Sequence, residues 1–225
     1  RYFFWATYFR TGQRTTNNKQ RTTIPVQSVL LEIQYLPPVP YFMSLAQCPI
    51  VYLEAHEHYV KGSYRNRCHI AAANGVQRLS IPLRKGKHQQ QPIREVRIAY
   101  DEPWQARHWQ AIRSAYGSAP FFEHVADVLH PFFHQKKYDL LWDWNLDLLH
   151  RLLSLARLNT EIRFTETFGQ APPGTLDFRE TFHPKRPAPP ERPAPIRYPQ
   201  VFEDRHGFLP DLSAIDLLFC SGRVA

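Results

Sequence analysis

Apolar runs of strand length alternate with polar and proline-containing segments in the first half of the chain. Residues 28–33 (SVLLEI) and 49–55 (PIVYLEA) are short and mostly apolar, which predicts two buried strands. Prolines 37, 38 and 40 interrupt the chain between them, and residues 41–47 then predict a short helix. A similar run at residues 160–164 predicts a strand that returns after the helical part of the chain.

A hairpin is predicted farther along. Residues 67–72 and 76–83 flank the dipeptide Asn74-Gly75, which is a strong short-range turn signal between two strand-forming runs. Residues 96–100 predict one more strand after a polar loop. The first half of the chain is therefore expected to be rich in antiparallel strands.

From residue 101 the hydrophobic period changes to that of a helix. Trp104, His108, Ile112 and Tyr116 recur every four residues and mark one helical face. Residues 120–134 predict a second helix with an interruption near Pro131, and residues 138–158 predict a third whose wide leucine stripe indicates burial. Residues 212–220 predict a short amphipathic helix near the end of the chain.

These elements predict one domain. The fold class is α+β or mixed α/β, with a β-rich N-terminal half that contains an antiparallel hairpin and a helical C-terminal half. Residues 27–222 are expected to form this domain. Within it, residues 169–197 are expected to be a proline-rich linker or surface loop, because seven prolines fall between Pro184 and Pro199. Residues 1–26 lack helical or strand periodicity and are predicted to be a disordered or non-native extension.

The excess of positive charge lies mainly in that extension. The formal charge is +8, but residues 1–25 hold five basic residues and no acid, so the other 200 residues carry only 8 − 5 = +3. A basic arm for nucleic acid or a membrane surface is therefore confined to residues 1–25. It ranks last among the functions considered, and we expect no nucleic-acid partner.

Cysteine spacing and hydropathy indicate the compartment. Cys48, Cys68 and Cys220 are odd in number and widely spaced, so no disulfide framework is expected. No apolar run approaches the eighteen residues of a membrane span, and the aromatic start of the chain does not have the pattern of a signal peptide. The expected location is the cytoplasm.

The densest concentration of reactive side chains follows the second predicted strand. Arg65 and Arg67 could hold a phosphate or carboxylate through paired N–H donors, and Asn66 between them could contact a sugar hydroxyl. His56 is a candidate acid or base. In the alternative interpretation the arginines pair with Glu54 or Glu57, and the histidines are solvated loop residues.

A second group of candidates lies on the predicted helices. His108 is either a hydrogen-bonded core residue or a catalytic base, and Trp104 and Tyr116 beside it could form a stacking wall for a sugar or base. Asp216 is either an ion-pair partner of Arg65 or Arg67, or a base at the pocket. Asn145 in the long buried helix is expected to form a structural bridge.

Several chemistries find no support in the spacing of residues. His56, His58 and Cys68 do not follow a recognised metal-ligand pattern, so we expect no metal ion. Cys68 lies at the start of a predicted strand, where packing is favoured over nucleophilic catalysis. No glycine-rich phosphate loop, Rossmann fingerprint, GxSxG motif or DxD-type acidic pair is present, and we expect no cofactor.

Several of these blocks, in this order, resemble the WbqC-like family of bacterial proteins, and its Bacteroidetes-type branch in particular. The resemblance extends over about residues 28–222. It is carried by YLP (35–37), HEHYVKGSYRNRCHIAAANG (56–75), LSIPL (79–83), Trp104 with His108-Trp109 and Tyr116, YDLL (138–141), DFRETFHPK (177–185) and YPQVFEDRHGFLPDLSAIDLLFCSG (198–222). The chain departs from the family at Pro49, where many relatives have an aspartate.

The resemblance implies a role in the synthesis of O-antigen or other surface polysaccharides. It suggests a transferase that adds a glycyl or small acyl group to an amino sugar, with a sugar nucleotide or lipid-linked sugar as partner. The alternative is a non-catalytic sugar-nucleotide-binding or assembly protein of the same pathway. The resemblance brings no catalytic residues with it. His56 and His108 are therefore the catalytic candidates, and Arg65, Asn66, Arg67, Trp104, Tyr116 and Asp216 the substrate-binding candidates, on the reasoning above alone.

Overall fold

The computed structural model of this protein describes residues 28–84, 91–134 and 138–222. The predicted extension at residues 1–26 lies outside the described residues. The strands are β1 Ser28–Leu31, β2 Ile50–Leu53, β3 Arg67–Ala72, β4 Gly75–Ser80, β5 Glu161–Phe164 and β6 Thr175–Asp177. The α-helices are α1 Val39–Gln47, α2 Trp104–Tyr116, α3 Phe122–His134, α4 Leu141–Leu155, α5 Glu203–His206 and α6 Ala214–Ser221, and a 3-10 helix covers Ile93–Glu95.

The predicted fold class is confirmed. The chain is mixed α/β, with strands and an antiparallel pair in its first half and mostly helices in its second half. The predicted strand at residues 96–100 is reduced to isolated bridges, Leu83 with Ile98 and Arg97 with Leu140.

The main sheet is parallel, which the expectation of an antiparallel-rich half did not anticipate. Its four strands lie in the order β5-β2-β1-β6, and each neighbouring pair is parallel. Helix α1 provides the crossover from β1 to β2, and a crossover of this kind is what parallel neighbours require. All four residues of β1 are buried, as expected for the inner strand of a parallel sheet.

The antiparallel pair β3–β4 is the hairpin predicted around Asn74-Gly75. The turn itself lies one residue earlier, at Ala73 and Asn74, and Ala72 pairs with Gly75. Gly75 is the first residue of β4 and has φ of 106°. Glycine adopts this conformation without the steric cost that a side chain would impose.

The segment predicted as a proline-rich linker or loop contributes to the sheet and to the core. Strand β6 lies in it and pairs with β1 from Ser28↔Thr175 to Leu30↔Asp177. Phe178 and Phe182 follow the strand and are buried, and Phe182 meets Tyr41 edge to face at 5.5 Å. Apolar residues placed among the prolines explain the difference, because burial of an aromatic ring stabilises a segment that has little regular structure of its own.

One hydrophobic core joins the sheet, the hairpin and the helices. Trp144 of α4 is fully buried at its centre and meets Trp104 edge to face at 5.2 Å. Helix α2 packs on β3, and α3 packs on α2, α4 and α6. Helix α2 thus covers one face of the hairpin. The segments that follow β1, β2 and β6 lie at the carboxyl edge of the sheet.

Membrane-spanning length is not reached by any helix in the described ranges. The longest of them, α4, has 15 residues.

Candidate functional site

Acidic side chains follow the strands of the parallel sheet at its carboxyl edge. Glu32 comes directly after β1, Glu54 directly after β2, and Asp177 ends β6. The chain places β2 on one side of β1 and β6 on the other, so the direction of winding reverses at β1. In open α/β sheets, ligands bind outside the carboxyl ends of the strands at such a reversal.

Glu57 and Arg65 form a buried ion pair at this edge. The Arg65 Nε donates to Glu57 Oε1 at 2.7 Å, and Nη2 donates to Oε2, so the pair is two-pronged. Burial raises the pKa of Glu57 to about 7, against the hydrogen bonds and charge of Arg65, and nearby Glu32 and Glu54 raise it further. For Arg65, the structure therefore contains the predicted alternative, in which an arginine pairs with Glu57.

Glu54 is the anchor between β2 and β6. Its Oε1 accepts from Thr165 Oγ1 at 2.7 Å and from the backbone N–H of His56 at 2.9 Å. Its Oε2 accepts from Arg179 Nη1 at 2.8 Å, and Arg179 also binds Asp177. The buried carboxylate is therefore fully paired and fastens the loop after β2 to the segment after β6.

Glu32 has a similar role on β1. It accepts from the Gln34 amide at 2.7 Å and from the backbone N–H of Glu180 at 3.0 Å. The Gln34 amide also donates to the Phe182 carbonyl at 3.2 Å, while its buried Oε1 has no partner among the described residues. These bonds tie residues 178–182 to the carboxyl end of β1.

His56 is exposed on the loop that follows β2, between the buried residues Glu54 and Glu57. His58 on the same loop is exposed as well. The imidazole of His56 is therefore open to solvent at the carboxyl edge of the sheet. This position would allow contact with a ligand, and its role as a base stays a prediction.

Asn66 and Arg67 point in different directions. Asn66 is buried, where it accepts from the Tyr59 hydroxyl at 2.9 Å and donates to the Ile81 carbonyl at 2.8 Å. Arg67 begins β3 and is half-buried, and its Nε has no hydrogen-bond partner among the described residues. Asn66 thus joins the loop to the end of the hairpin, whereas Arg67 lies on the face of β3 opposite to that of the buried Cys68.

His108 lies on the buried face of α2. The Tyr35 hydroxyl lies 3.0 Å from its Nδ1, and the Trp104 ring meets it edge to face at 5.1 Å. Burial lowers the pKa of His108 to about 4, with a hydrogen bond to the Ser80 backbone opposing the shift. The ring is therefore neutral near pH 7. It connects α2 to Tyr35 and to the backbone of Ser80 at the end of β4.

Trp104, Tyr116 and Asp216 are also buried. The Tyr116 hydroxyl accepts from the backbone N–H of Ala71 at 3.0 Å. Asp216 of α6 has no exposed surface, and burial raises its pKa to about 6 while the hydroxyls of Tyr116 and Tyr198 lower it. Its carboxylate oxygens make no hydrogen bond of ordinary geometry and no ion pair among the described residues.

The predicted site residues are thus divided between the core and the surface. Six are buried, namely His108, Arg65, Asn66, Trp104, Tyr116 and Asp216. His56 is exposed and Arg67 is half-buried. The Asn145 amide donates to the Arg65 carbonyl at 2.7 Å, which confirms the expected structural bridge.

Sequence reasoning overlooked Glu32 and Arg179, and treated Glu54 and Glu57 only as pairing partners. A signal for two of them was present in the chain, because SVLL-Glu32 and IVYL-Glu54 each place an acid directly after a buried run. Recognition of both strands as parallel would have brought these acids to one edge. Arg179 carried no comparable signal, since it lies in the segment predicted to be a linker or loop.

Metal-ligating side chains do not assemble within residues 28–84, 91–134 and 138–222. No group of three or more His, Cys, Asp or Glu residues there is arranged to hold an ion. A cavity of about 380 Å³ lies between α3 and α4, with Asp127, Phe132 and Asp147 in its lining. None of the predicted site residues contributes to that lining.

The fold and site define a mixed α/β protein with a buried carboxylate–arginine network at the carboxyl edge of a small parallel sheet. Comparison with known proteins gives it a family. The model of the WbqC-like protein family matches residues 33–178, and the chain belongs to this family. An uncharacterized protein of Mycobacterium tuberculosis, Rv1507c, is 27% identical over 133 residues, 59% of this chain and 57% of that protein. The chain thus spans little more than half the length of this relative. No solved structure matches the chain.

Proposed function

We propose that this protein is a transferase of surface polysaccharide biosynthesis that adds a glycyl or another small acyl group to an amino sugar. Membership of the WbqC-like family supports the pathway. The observation that carries the proposal is the exposed imidazole of His56, held at the carboxyl edge of the parallel sheet by Glu54, which accepts its backbone N–H at 2.9 Å. This edge is where open α/β sheets place their ligands.

The proposed reaction needs a base and a held acceptor. The amine of the sugar attacks the carbonyl carbon of an activated glycyl or acyl donor, so a C–N bond forms and the bond from carbonyl to carrier breaks. His56 takes the proton that the attacking nitrogen loses, and the carrier leaves with the bonding electron pair. Arg67, the accessible member of the predicted arginine pair, holds an anionic group of the sugar nucleotide or lipid-linked sugar.

We assign the buried residues of the predicted site to the positioning of His56 and Arg67. The Arg65–Glu57 pair and Asn66 fix the loop on which His56 lies, through the bonds to Asn145 and Ile81. His108 is neutral, and it is hydrogen-bonded to Tyr35 and to the backbone of Ser80, so we assign it to positioning of the hairpin and not to proton transfer.

A non-catalytic binding or assembly role in the same pathway is the second candidate. The burial of six predicted site residues favours it, because only His56 and Arg67 among the eight can reach a ligand without movement of the fold. A binding protein of this kind would be stabilised by a sugar nucleotide and would not alter it.

Mass spectrometry of surface glycan from a strain that lacks the gene separates the two candidates. A glycan that loses a glycyl or acyl substituent, and regains it on complementation with the intact gene but not with His56→Gln, supports the transferase. An unchanged glycan composition overturns the transferase. Purified protein should in addition be tested with UDP-glucosamine, whose amino group is free to attack, and activated glycine donors for a product heavier by the acyl group.

A further inference from the structure

The outward face of the β3–β4 hairpin collects cationic and polar side chains. Arg67 pairs with Ser80 in the strand register, and His69 pairs with Arg78. Alternate residues of a strand share a face, so all four lie on the same side of the hairpin. The residues between them face the core, where Cys68, Ile70 and Leu79 are buried.

This positive charge is not neutralised by any acid of the described chain. Arg67 and Arg78 make no ion pair with a carboxylate of residues 28–84, 91–134 or 138–222. Burial lowers the pKa of Arg67, and the charge of Arg78 lowers it further. The Nε of Arg67 is inaccessible to water and has no hydrogen-bond acceptor. A buried N–H donor normally has a hydrogen-bond acceptor, and for Arg67 Nε neither water nor the described part of the protein supplies one.

The groups around this face are mostly donors. The Tyr64 hydroxyl lies 3.3 Å from His69 Nδ1. Burial and the two arginines lower the pKa of His69, so its ring is neutral near pH 7. Asp211 is the carboxylate close enough to oppose that shift, and it is engaged by Arg192.

We propose that Arg67, His69, Arg78 and Ser80 form a diphosphate-binding site. Two guanidinium groups, an imidazole and a hydroxyl offer donors to several phosphate oxygens, and guanidinium planes match phosphate geometry. The ligand class is a diphosphate-linked sugar, free as a nucleotide or attached to a lipid. The sugar part of this assignment rests on the proposed function, whereas the anion site rests on the hairpin alone.

Isothermal titration calorimetry of the purified protein at physiological salt tests the site. The ligands are inorganic pyrophosphate, UDP-N-acetylglucosamine and a short-chain polyprenyl diphosphate N-acetylglucosamine. Arg78→Ala changes an exposed side chain and should raise Kd for all bound ligands about tenfold or more. Arg67→Lys should do the same, because it keeps the charge and loses the planar fork.

Arg113→Ala is the matched control, since Arg113 is exposed on α2 and has no ion pair among the described residues. It should leave every Kd within about twofold, because Arg113 is not part of the hairpin and an exposed charge that does not contact the ligand is largely screened by salt. The two sugar-linked ligands distinguish the sources, and the tighter one identifies the physiological ligand. Failure of folded wild-type protein to bind pyrophosphate would overturn the site. So would equal losses in Arg113→Ala, or tight binding of a single-stranded oligonucleotide alone.

The glycan experiment keeps this inference separate from the proposed function. If the deletion strain loses its substituent but Arg67→Lys with Arg78→Ala restores it fully, the transferase stands and the diphosphate site falls. If Arg78→Ala abolishes diphosphate binding while deletion leaves the glycan unchanged, the site stands and the transferase falls.

Discussion

Arg65 and Glu57 face each other through two parallel hydrogen bonds, and both side chains are buried. Each charge depends on the other, because removal of one partner would leave the other buried and unpaired. The pair therefore fixes the loop between β2 and β3 more firmly than its polar sequence suggests.

Replacement of Arg65 by Met should destabilise the fold by about 3–5 kcal/mol at pH 8, because it leaves the Glu57 carboxylate buried without a counter-ion. The loss should be smaller at pH 6, because the variant lacks the hydrogen bonds and charge of Arg65 that lower the pKa of Glu57, and its buried carboxyl group therefore takes up a proton more readily as the pH falls. Urea unfolding at both pH values measures this. Arg163→Met is the control, because the Arg163–Glu161 pair is exposed and its loss should leave stability nearly unchanged. Equal effects of the two variants would contradict the prediction.

Asp216→Asn should stabilise the protein near neutral pH. Burial raises the pKa of Asp216 to about 6 from 3.8, so the folded state binds its proton more tightly than the unfolded state. The stability of the wild type therefore falls as pH rises from about 4 to about 6, by up to about 3 kcal/mol. The variant should lack this part of the slope. Denaturation curves at pH 4, 5, 6 and 7 test the difference, and parallel pH profiles for both proteins would refute it.

His108 should remain neutral throughout the pH range from 5 to 8. Burial lowers its pKa to about 4, so the unfolded state is protonated first and the contribution of His108 to stability is lost as pH falls from about 6.5 to about 4. A histidine NMR titration, assigned by comparison with His108→Gln, should show one ring that does not titrate near neutrality. A His108 signal with a midpoint above pH 6 would rule out the buried, neutral arrangement.

His56→Gln should reduce the rate of transfer by about a hundredfold or more, because the proposed reaction loses its base. The melting temperature should be unchanged, since the side chain is exposed. His58→Gln is the matched control on the same loop and should retain activity. If both variants are equally active in the assay with UDP-glucosamine and the glycine donor, His56 is not the base.

Phe182→Ala should destabilise the fold by about 3–5 kcal/mol, because the ring is fully buried against Tyr41 and Phe178. Phe168→Ala is the control in the same part of the chain, where 66% of the side chain is exposed, and should change stability by less than about 0.5 kcal/mol. Thermal unfolding of the two variants compares them. A small effect at Phe182 would mean that the segment after β6 lies loosely on the core.

Local signals were sufficient for elements that are determined locally. The dipeptide Asn74-Gly75 identified the hairpin, and the spacing of Trp104, His108, Ile112 and Tyr116 identified α2, because turn chemistry and helical period depend on near neighbours. The direction of the main sheet depends on contacts between distant segments. The pairing of Ser28 with Thr175 has no signal in either segment alone.

The candidate site shows the same division. The sequence located the loop of Arg65, Asn66 and Arg67, and the two alternatives for the arginines each apply to one of them. Arg65 pairs with Glu57, and Arg67 has no ion-pair partner in the described part of the chain. Which arginine turns inward is decided by the strand register of β3 and by the acids that follow β1 and β2, and neither can be read from the spacing of the loop itself.

The distance along the chain between Glu32 and Glu180 has a consequence for biosynthesis. Their hydrogen bond joins residues 148 positions apart, so a ribosome that adds about 5–20 residues per second needs roughly 7–30 s to produce the second after the first. During that interval the nascent chain carries β1 with one edge unpaired and an acid that lacks its native partner. Closure of the sheet therefore cannot occur before residues 175–182 have left the ribosome, and the emerging chain needs protection from aggregation until then.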